Sequence, residues 1–528
     1  MDTLQESTPP TRSNSLPVFL AVWCSFFLYC VIAAPVPAVN EPHYLCKAKH
    51  FWQPDWCAND FFLQSANAHT VFFATIGSLT QWLSFDQTAW IGRVLAILVL
   101  TAGWCSLLAP LAPSRWFALQ VCWLFLALAA CGNLSGEWLV GGVEAKVFSY
   151  GLLFGALGQV QRGRPTRAGI LAGLAIAFHP VIGIWGVLAF MGARAAETCW
   201  RSWRRTEPTA STHSNLLAAL KGFVSLVLCA LPGLIPVFRL LTESVPQETK
   251  SAATFIQVYY RLAHHLDPMK FLPRAYIGYS VLLAVWLVMM MRNRRSDAHR
   301  RFDGIVAFAI LFAVAGLIIG WGPRPAQQMA YYAERAQLLK FYPFRLADVV
   351  IPLAVSIGVA NWAQFHKVRA VRFIGCALLF VAALFGAHAN VEVNRYSGEL
   401  RADWIDACRW IDGNLPKDAL IHSPHNGWAF KWFARRAEYV AFKDCPQDAA
   451  GIVEWNRRLN FLKHWFEEHY DDEFYSADEL HDLRARTKIT HILTDRLGPL
   501  ELEPIFENDT FQLYDLTSLD RPIWFLKR

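Results

Sequence analysis

The sequence predicts a mainly α fold: a polytopic helical membrane protein of about 11 membrane segments, with a small α/β extracytoplasmic domain at its C-terminal end. Three observations carry this expectation. Of 528 residues, 54% are hydrophobic and only 17% are charged, well to the membrane side of globular usage. Apolar runs recur at the roughly 20 residues that cross a bilayer. After Ala389 the composition turns charged and amphipathic.

Residues 1–15 read as a cytoplasmic tail and 16–38 as the first span. This run reads as a retained helix in preference to a signal peptide cleaved after Ala38, because its apolar stretch exceeds the about 7–15 residues of a signal core and Arg12 is the only nearby basic residue; either way Glu41 is expected outside. Further spans are expected at 88–110, 115–132, 145–160, 214–236, 275–291, 304–321, 346–363 and 370–388. The basic clusters at 161–167, 201–205, 292–301 and 367–372 belong on the cytoplasmic side. Ala168–Ala195 joins two of those clusters yet is barely long enough for one span. It therefore reads as a broken hairpin turning at His179–Pro180, where proline disfavours helix at the residue before it. The membrane domain so defined covers 16–389 with an outer loop at 39–87, and the soluble domain covers 390–528. In that tail "DWIDACRWIDGNLP" and "VEWNRRLNFLKHWFEEHY" read as helices, whereas "DALIHSP", "AEYVAF", "THILTD" and "FQLYDL" read as strands.

The net charge of +7 sits in short clusters between apolar segments, an orientation signal and not a nucleic-acid surface, so no nucleic-acid partner is expected. Twelve cysteines show no C-x-x-C pair and no zinc spacing, which argues against a cysteine-built metal site. Cys46 with Cys57, and Cys408 with Cys445, are placed where an oxidising compartment would let them bridge.

The outer side gathers the chemistry. "VNEPHYLCKAKHFWQPDWCANDFF" brings Glu41, His43, Tyr44 and Asp60 directly after the first span, and Glu144 opens the fourth on the same face. Carboxylates converging at one depth suit a general base acting on a hydroxyl, or a pair holding a divalent cation such as Mg or Mn. Arg274, Arg335 and Arg345 stand on the outer side against the orientation rule, and arginine grips phosphate by paired hydrogen bonds. In "HHLDP", His264 and His265 cannot face the same way, so one can support a carboxylate while its neighbour packs.

The E-P-x-Y loop after the first span, the "GGVEAK" stretch at the fourth, the many spans and the outer C-terminal domain together resemble the GT-C superfamily of polytopic glycosyltransferases. This resemblance, to protein mannosyltransferase, aminoarabinose transferase and oligosaccharyltransferase types, implies inverting transfer of a sugar from a polyprenyl-phosphate donor at the outer membrane face. By position Glu41 takes the catalytic or metal-binding acid's place, with Asp60 and Glu144 as secondary candidates. Arg335 or Arg345 would meet the donor phosphate. The partners implied are a lipid-linked sugar, membrane lipids and an acceptor of unspecified kind, in a bacterial inner membrane. Two other classes stay open: a transporter or lipid flippase, favoured by the broken hairpin, and a noncatalytic envelope scaffold.

Overall fold

The computed structural model describes residues 16–38, 40–129, 133–203, 212–292, 296–364, 369–389, 398–424, 427–470, 473–495 and 499–520. The expected cytoplasmic tail, 1–15, lies outside the described residues. By compactness the chain divides into two units, each built from separate stretches.

The first unit comprises Met1–Pro35, Ile91–Val237 and Val258–Ala389. It is helical, and the fold is that of a polytopic membrane protein. Among the described residues, eight helices are long and apolar enough to cross a bilayer, Leu16–Ala33, Pro180–Trp203 and Arg345–Ala363 among them. Three shorter ones, Phe117–Ala129, Ala145–Gln161 and Pro165–Phe178, fall on the remaining expected segments. The first helix stops five residues short of the expected 38, because Pro35 and Pro37 deny it further hydrogen bonds. Asp297–Gly320 starts earlier than the expected 304, since Ser296 caps it by accepting from the His299 backbone N–H.

The hairpin breaks at His179, which is extended between Pro165–Phe178 and Pro180–Trp203. Its second arm is longer than expected and is long and apolar enough to cross a bilayer by itself, running on through the first residues of the basic cluster at 201–205. The arms fold back on each other at Gly183, where any Cβ would collide with the Ile176 backbone. Backbone-to-backbone crossings recur at Gly103 with Gly151 and at Gly169 with Gly222, the small-residue contacts by which membrane helices come close. Arg345–Ala363 is the central helix: 78% of its apolar window is buried, against 11% for Ala370–Ala389.

The second unit comprises Val36–Trp90, Phe238–Gln257 and Asn390–Arg528. Its sheet has the order β2-β1-β3-β5-β4, with β1 at Leu420–His422, β2 at Ala437–Glu438, β3 at His491–Thr494, β4 at Phe506–Glu507 and β5 at Gln512–Asp515. β1 runs parallel to β2 and β3, while β5 is antiparallel to β3 and β4. Helix Gly398–Asn414 buries Trp404, Cys408 and Ile411 against Ile421, Phe430, Leu493 and Leu513 to form the core. The stretch 36–90 is joined to the tail within this unit: Asn59 donates to the Asp418 carbonyl at 2.8 Å, and the Ala66 N–H donates to Asp448 at 3.2 Å.

The expected bridges are not formed, for Cys46, Cys57, Cys408 and Cys445 are all free thiols. Cys408 points into the apolar core with Trp404 and Ile411, and burial pushes the Cys46 and Cys57 thiols up, away from the reactive thiolate.

Candidate functional site

In the first unit the stretch 133–144 joins Phe117–Ala129 to Ala145–Gln161 and is too polar to lie among spans without anchors. Asp348, in the first turn of Arg345–Ala363, supplies them: its carboxylate accepts from the Leu134 N–H at 2.9 Å, the Ser135 N–H at 2.8 Å and the Ser135 hydroxyl at 2.7 Å. His265 donates from Nδ1 to the Ser135 carbonyl, and its ring lies 4.0 Å from that of His264. Gly136 sits between these anchors at φ +77, where a Cβ would also stand 3.0 Å from the His265 ring. Burial holds the His265 imidazole well below its usual range, with His264, Arg345 and Lys146 adding to the effect, so it serves as a neutral donor.

The clamped stretch delivers Glu137 and Glu144, only 5% and 3% exposed. Glu137 accepts from Arg345 Nε at 2.9 Å and lies 3.9 Å from Lys146, which in turn stands 3.5 Å from Glu144. The Lys146 ammonium caps the Trp138 ring at 3.5 Å, and the Arg345 guanidinium stacks over Tyr342 at 3.9 Å. Arg345 Nη1 donates to His179 Nε2 at 3.3 Å, which ties the helix break into the same network. Two cations and two carboxylates thus alternate in a line that begins at His179. Each cation is shared, so an entering anion must compete with Glu137 or Glu144.

Of the other expected phosphate-binding residues, Arg335 donates to the Ile319 and Trp321 carbonyls at 3.1 Å, closing the C-terminal end of Asp297–Gly320. Arg274 is exposed in the first turn of Pro273–Arg292. Asp267, 1% exposed, caps the turn at Pro268 and accepts from Arg324 Nε at 2.9 Å.

The second unit holds a separate buried cluster. Glu41 opens helix Glu41–Trp52 behind Asn40, in a first turn that suits an acid, and accepts from the Ala38 N–H at 2.6 Å. Asp60 caps Phe61–Gln64 by accepting from the Leu63 N–H at 2.9 Å, while its other oxygen takes the Glu438 N–H at 3.0 Å and Lys431 at 3.3 Å. Lys431 also meets Glu438 at 2.6 Å and Asp444 at 2.7 Å, and His43 donates to Asp444 at 3.0 Å. Tyr44 reaches His69 at 3.5 Å. Burial alone would lower the Lys431 pKa, but Asp444, Asp60 and Glu438 hold it well above the usual range. The same burial raises Glu438 in spite of Lys431, whereas Lys431 and His43 outweigh burial at Asp444 and keep it well below the usual carboxylate range.

Sequence reasoning did not single out Lys146, Lys431 or Asp348. Lys146 carried a readable signal, two residues after Glu144 in "GGVEAK". Asp348 carried another, as an acid inside an apolar run. Lys431 carried none.

Among the described residues, no group of three or more His, Cys, Asp or Glu side chains is arranged to hold a metal ion. Between Glu137 and Glu144 the place a divalent cation would need is taken by the Lys146 ammonium.

A family model described as a domain of unknown function, DUF6798, matches residues 402–462. No curated protein matches in sequence. Among solved structures, the Archaeoglobus fulgidus oligosaccharyltransferase in complex with Zn and sulfate is similar at 12% identity and a TM-score of 0.39, over 90% of this chain and 68% of its own. ArnT from Cupriavidus metallidurans bound to undecaprenyl phosphate is similar at 13% identity and a TM-score of 0.36, over 96% of this chain and 99% of its own. AglB from Archaeoglobus fulgidus, with an inhibitory peptide and a dolichol-phosphate, is similar at 11% identity and 0.36, over 91% of this chain and 69% of its own.

Proposed function

We propose that the protein is a membrane glycosyltransferase that moves a sugar from a polyprenyl-phosphate-linked donor to an acceptor hydroxyl at the outer membrane face, with inversion. One observation carries this reading: Glu137, Lys146 and Glu144 are buried together beside apolar helices, with Arg345 half-buried against Glu137. Burying so many charges is costly, and in membrane proteins such sets mark sites of chemistry.

The apolar helices take the lipid tail, and Arg345 with Lys146 takes the phosphate, exchanging part of their hold on the two glutamates. Glu144 removes the acceptor hydroxyl's proton. The acceptor oxygen then attacks the anomeric carbon on the side opposite the phosphate, and the C–O bond to phosphate breaks with its electron pair leaving on the polyprenyl phosphate. Arg345 and Lys146 take up the charge that develops there. Glu41 is the alternative base on the strength of its sequence position. Asp60 and His43 support the fold around Lys431, His265 positions the 133–144 stretch, and Arg274 anchors headgroups. Glu137 and Glu144 already share the Lys146 ammonium, so the phosphate charge is met by Arg345 and Lys146.

The break at His179 favours a second reading, as a lipid flippase, since interrupted helices flank substrate sites in transporters. Release of polyprenyl phosphate from a mixed pool of lipid-linked sugars, with and without Mg, separates the two. Wild-type protein should release it, Glu144→Gln about 100-fold or more slowly, and Arg345→Lys about tenfold or more slowly, for want of the paired hydrogen bonds. Retained release in Glu144→Gln with loss in Glu41→Gln would move the base to Glu41. No release from folded wild type, together with movement of a fluorescent polyprenyl phosphate across vesicles that His179→Ala abolishes, would replace the transferase by the flippase.

A further inference from the structure

A second charged feature of the first unit lies away from that network, where Pro180–Trp203 ends beside the start of Asp297–Gly320. The two helices leave a cavity of about 310 Å³ between them, at the small end of the range for ligand sites. Arg194, Arg201, Arg300 and Arg301 line it together with Glu197 and Asp297. Glu197 is held by Arg194 and by Arg201, and Asp297 by Arg300. Four guanidiniums against two carboxylates leave an excess of two positive charges.

Arg301 is the decisive member. Its Nε is buried and has no hydrogen-bond partner among the described residues, an expensive state for a guanidinium donor. Arg300 and Arg301 also lie within five residues of their helix's N-terminal end, where the helix dipole disfavours cations and favours an anion. Apolar walls complete the cavity: Phe190 and Trp200 line it, and Trp203, 75% exposed, stands one turn further on as an interfacial tryptophan would.

We infer that this cavity binds a phosphate-bearing anion, held by Arg301 and its neighbours at the membrane end that the positive-inside rule assigns to the cytoplasm. Two sources supply that chemistry, an anionic phospholipid headgroup or a free phosphate, and the aromatic walls suit the first. The site is independent of the transferase reading and needs no catalytic step.

Native mass spectrometry of the full chain in detergent tests it, with added phosphatidylglycerol or phosphatidylcholine, alongside melting measured with inorganic phosphate. Wild type should retain one phosphatidylglycerol in preference to phosphatidylcholine. The double variant Arg300→Gln, Arg301→Gln should bind it about tenfold or more weakly. Glu197→Gln guards against misreading a misfolded variant, because it frees Arg194 and Arg201 and should tighten binding. Protection by inorganic phosphate that disappears in the same double variant would assign the site to a free phosphate. Equal retention of both lipids with no protection by phosphate, or binding indifferent to both variants, would overturn the inference.

Discussion

Lys431 keeps its proton where burial works against it, and does so because three carboxylates surround it. Lys47, close by on Glu41–Trp52, shows the opposite balance. It is 4% exposed, and its ammonium donates to the Phe62 carbonyl at 2.8 Å and the Ser65 hydroxyl at 2.6 Å, both neutral. Burial lowers its pKa from 10.5 to about 8, more than nearby Asp448 and Asp60 can offset. A base whose pKa falls on folding binds its proton less well in the folded state. Its cost is therefore full below about pH 8 and fades as pH rises towards 10.5. The melting temperature of wild type relative to Lys47→Met should rise across that window, and a constant difference would show that Lys47 keeps an ordinary pKa. Single acids such as Glu41 and Glu144 were visible in the sequence because a carboxylate next to an apolar run stands out. Their partners were not: His43 and Asp444 are 401 residues apart, and no local pattern announces such a pair.

At the level of elements, apolar length predicted the helices, and the His179–Pro180 break was readable because proline acts locally. Helix ends were less legible, since they depend on caps such as Ser296 and on how far a basic segment stays helical. Least legible was the clamp on 133–144, which rests on an acid 213 residues away from Ser135. Removing that acid should loosen the whole stretch. Asp348→Ala leaves two N–H groups and a hydroxyl without their acceptor and should cost about 1–3 kcal/mol or more, while Asp348→Asn, which keeps one acceptor oxygen, should cost less. Hydrogen exchange at Leu134 and Ser135 should quicken in the same order. Unchanged exchange in Asp348→Ala would mean that other contacts hold the stretch.

For the whole molecule, the sequence made a series of membrane-length apolar helices and the presence of a small sheet readable, because both follow from composition and period. It did not show that residues 36–90 join the tail in one compact unit, which depends on contacts such as Asn59 with Asp418. Orientation remains a consequence of charge and can be measured directly. Cys199 is an exposed native thiol beside the basic cluster at 201–205, and Asp509 is exposed in the tail. In intact cells or right-side-out vesicles, Asp509→Cys should react with a membrane-impermeant maleimide, whereas Cys199 should need a permeant one. The reverse pattern would turn the protein over in the membrane and move the proposed chemistry to the other face. The uneven burial of the helices also sets how freely each can drift over generations. Ala370–Ala389, with most of its side chains outward, asks only to stay greasy, and one aliphatic residue can replace another there at little cost. Arg345–Ala363, enclosed on nearly every side and carrying both Arg345 and Asp348, has almost no silent positions, so among descendants of this chain it should be the slowest helix to change.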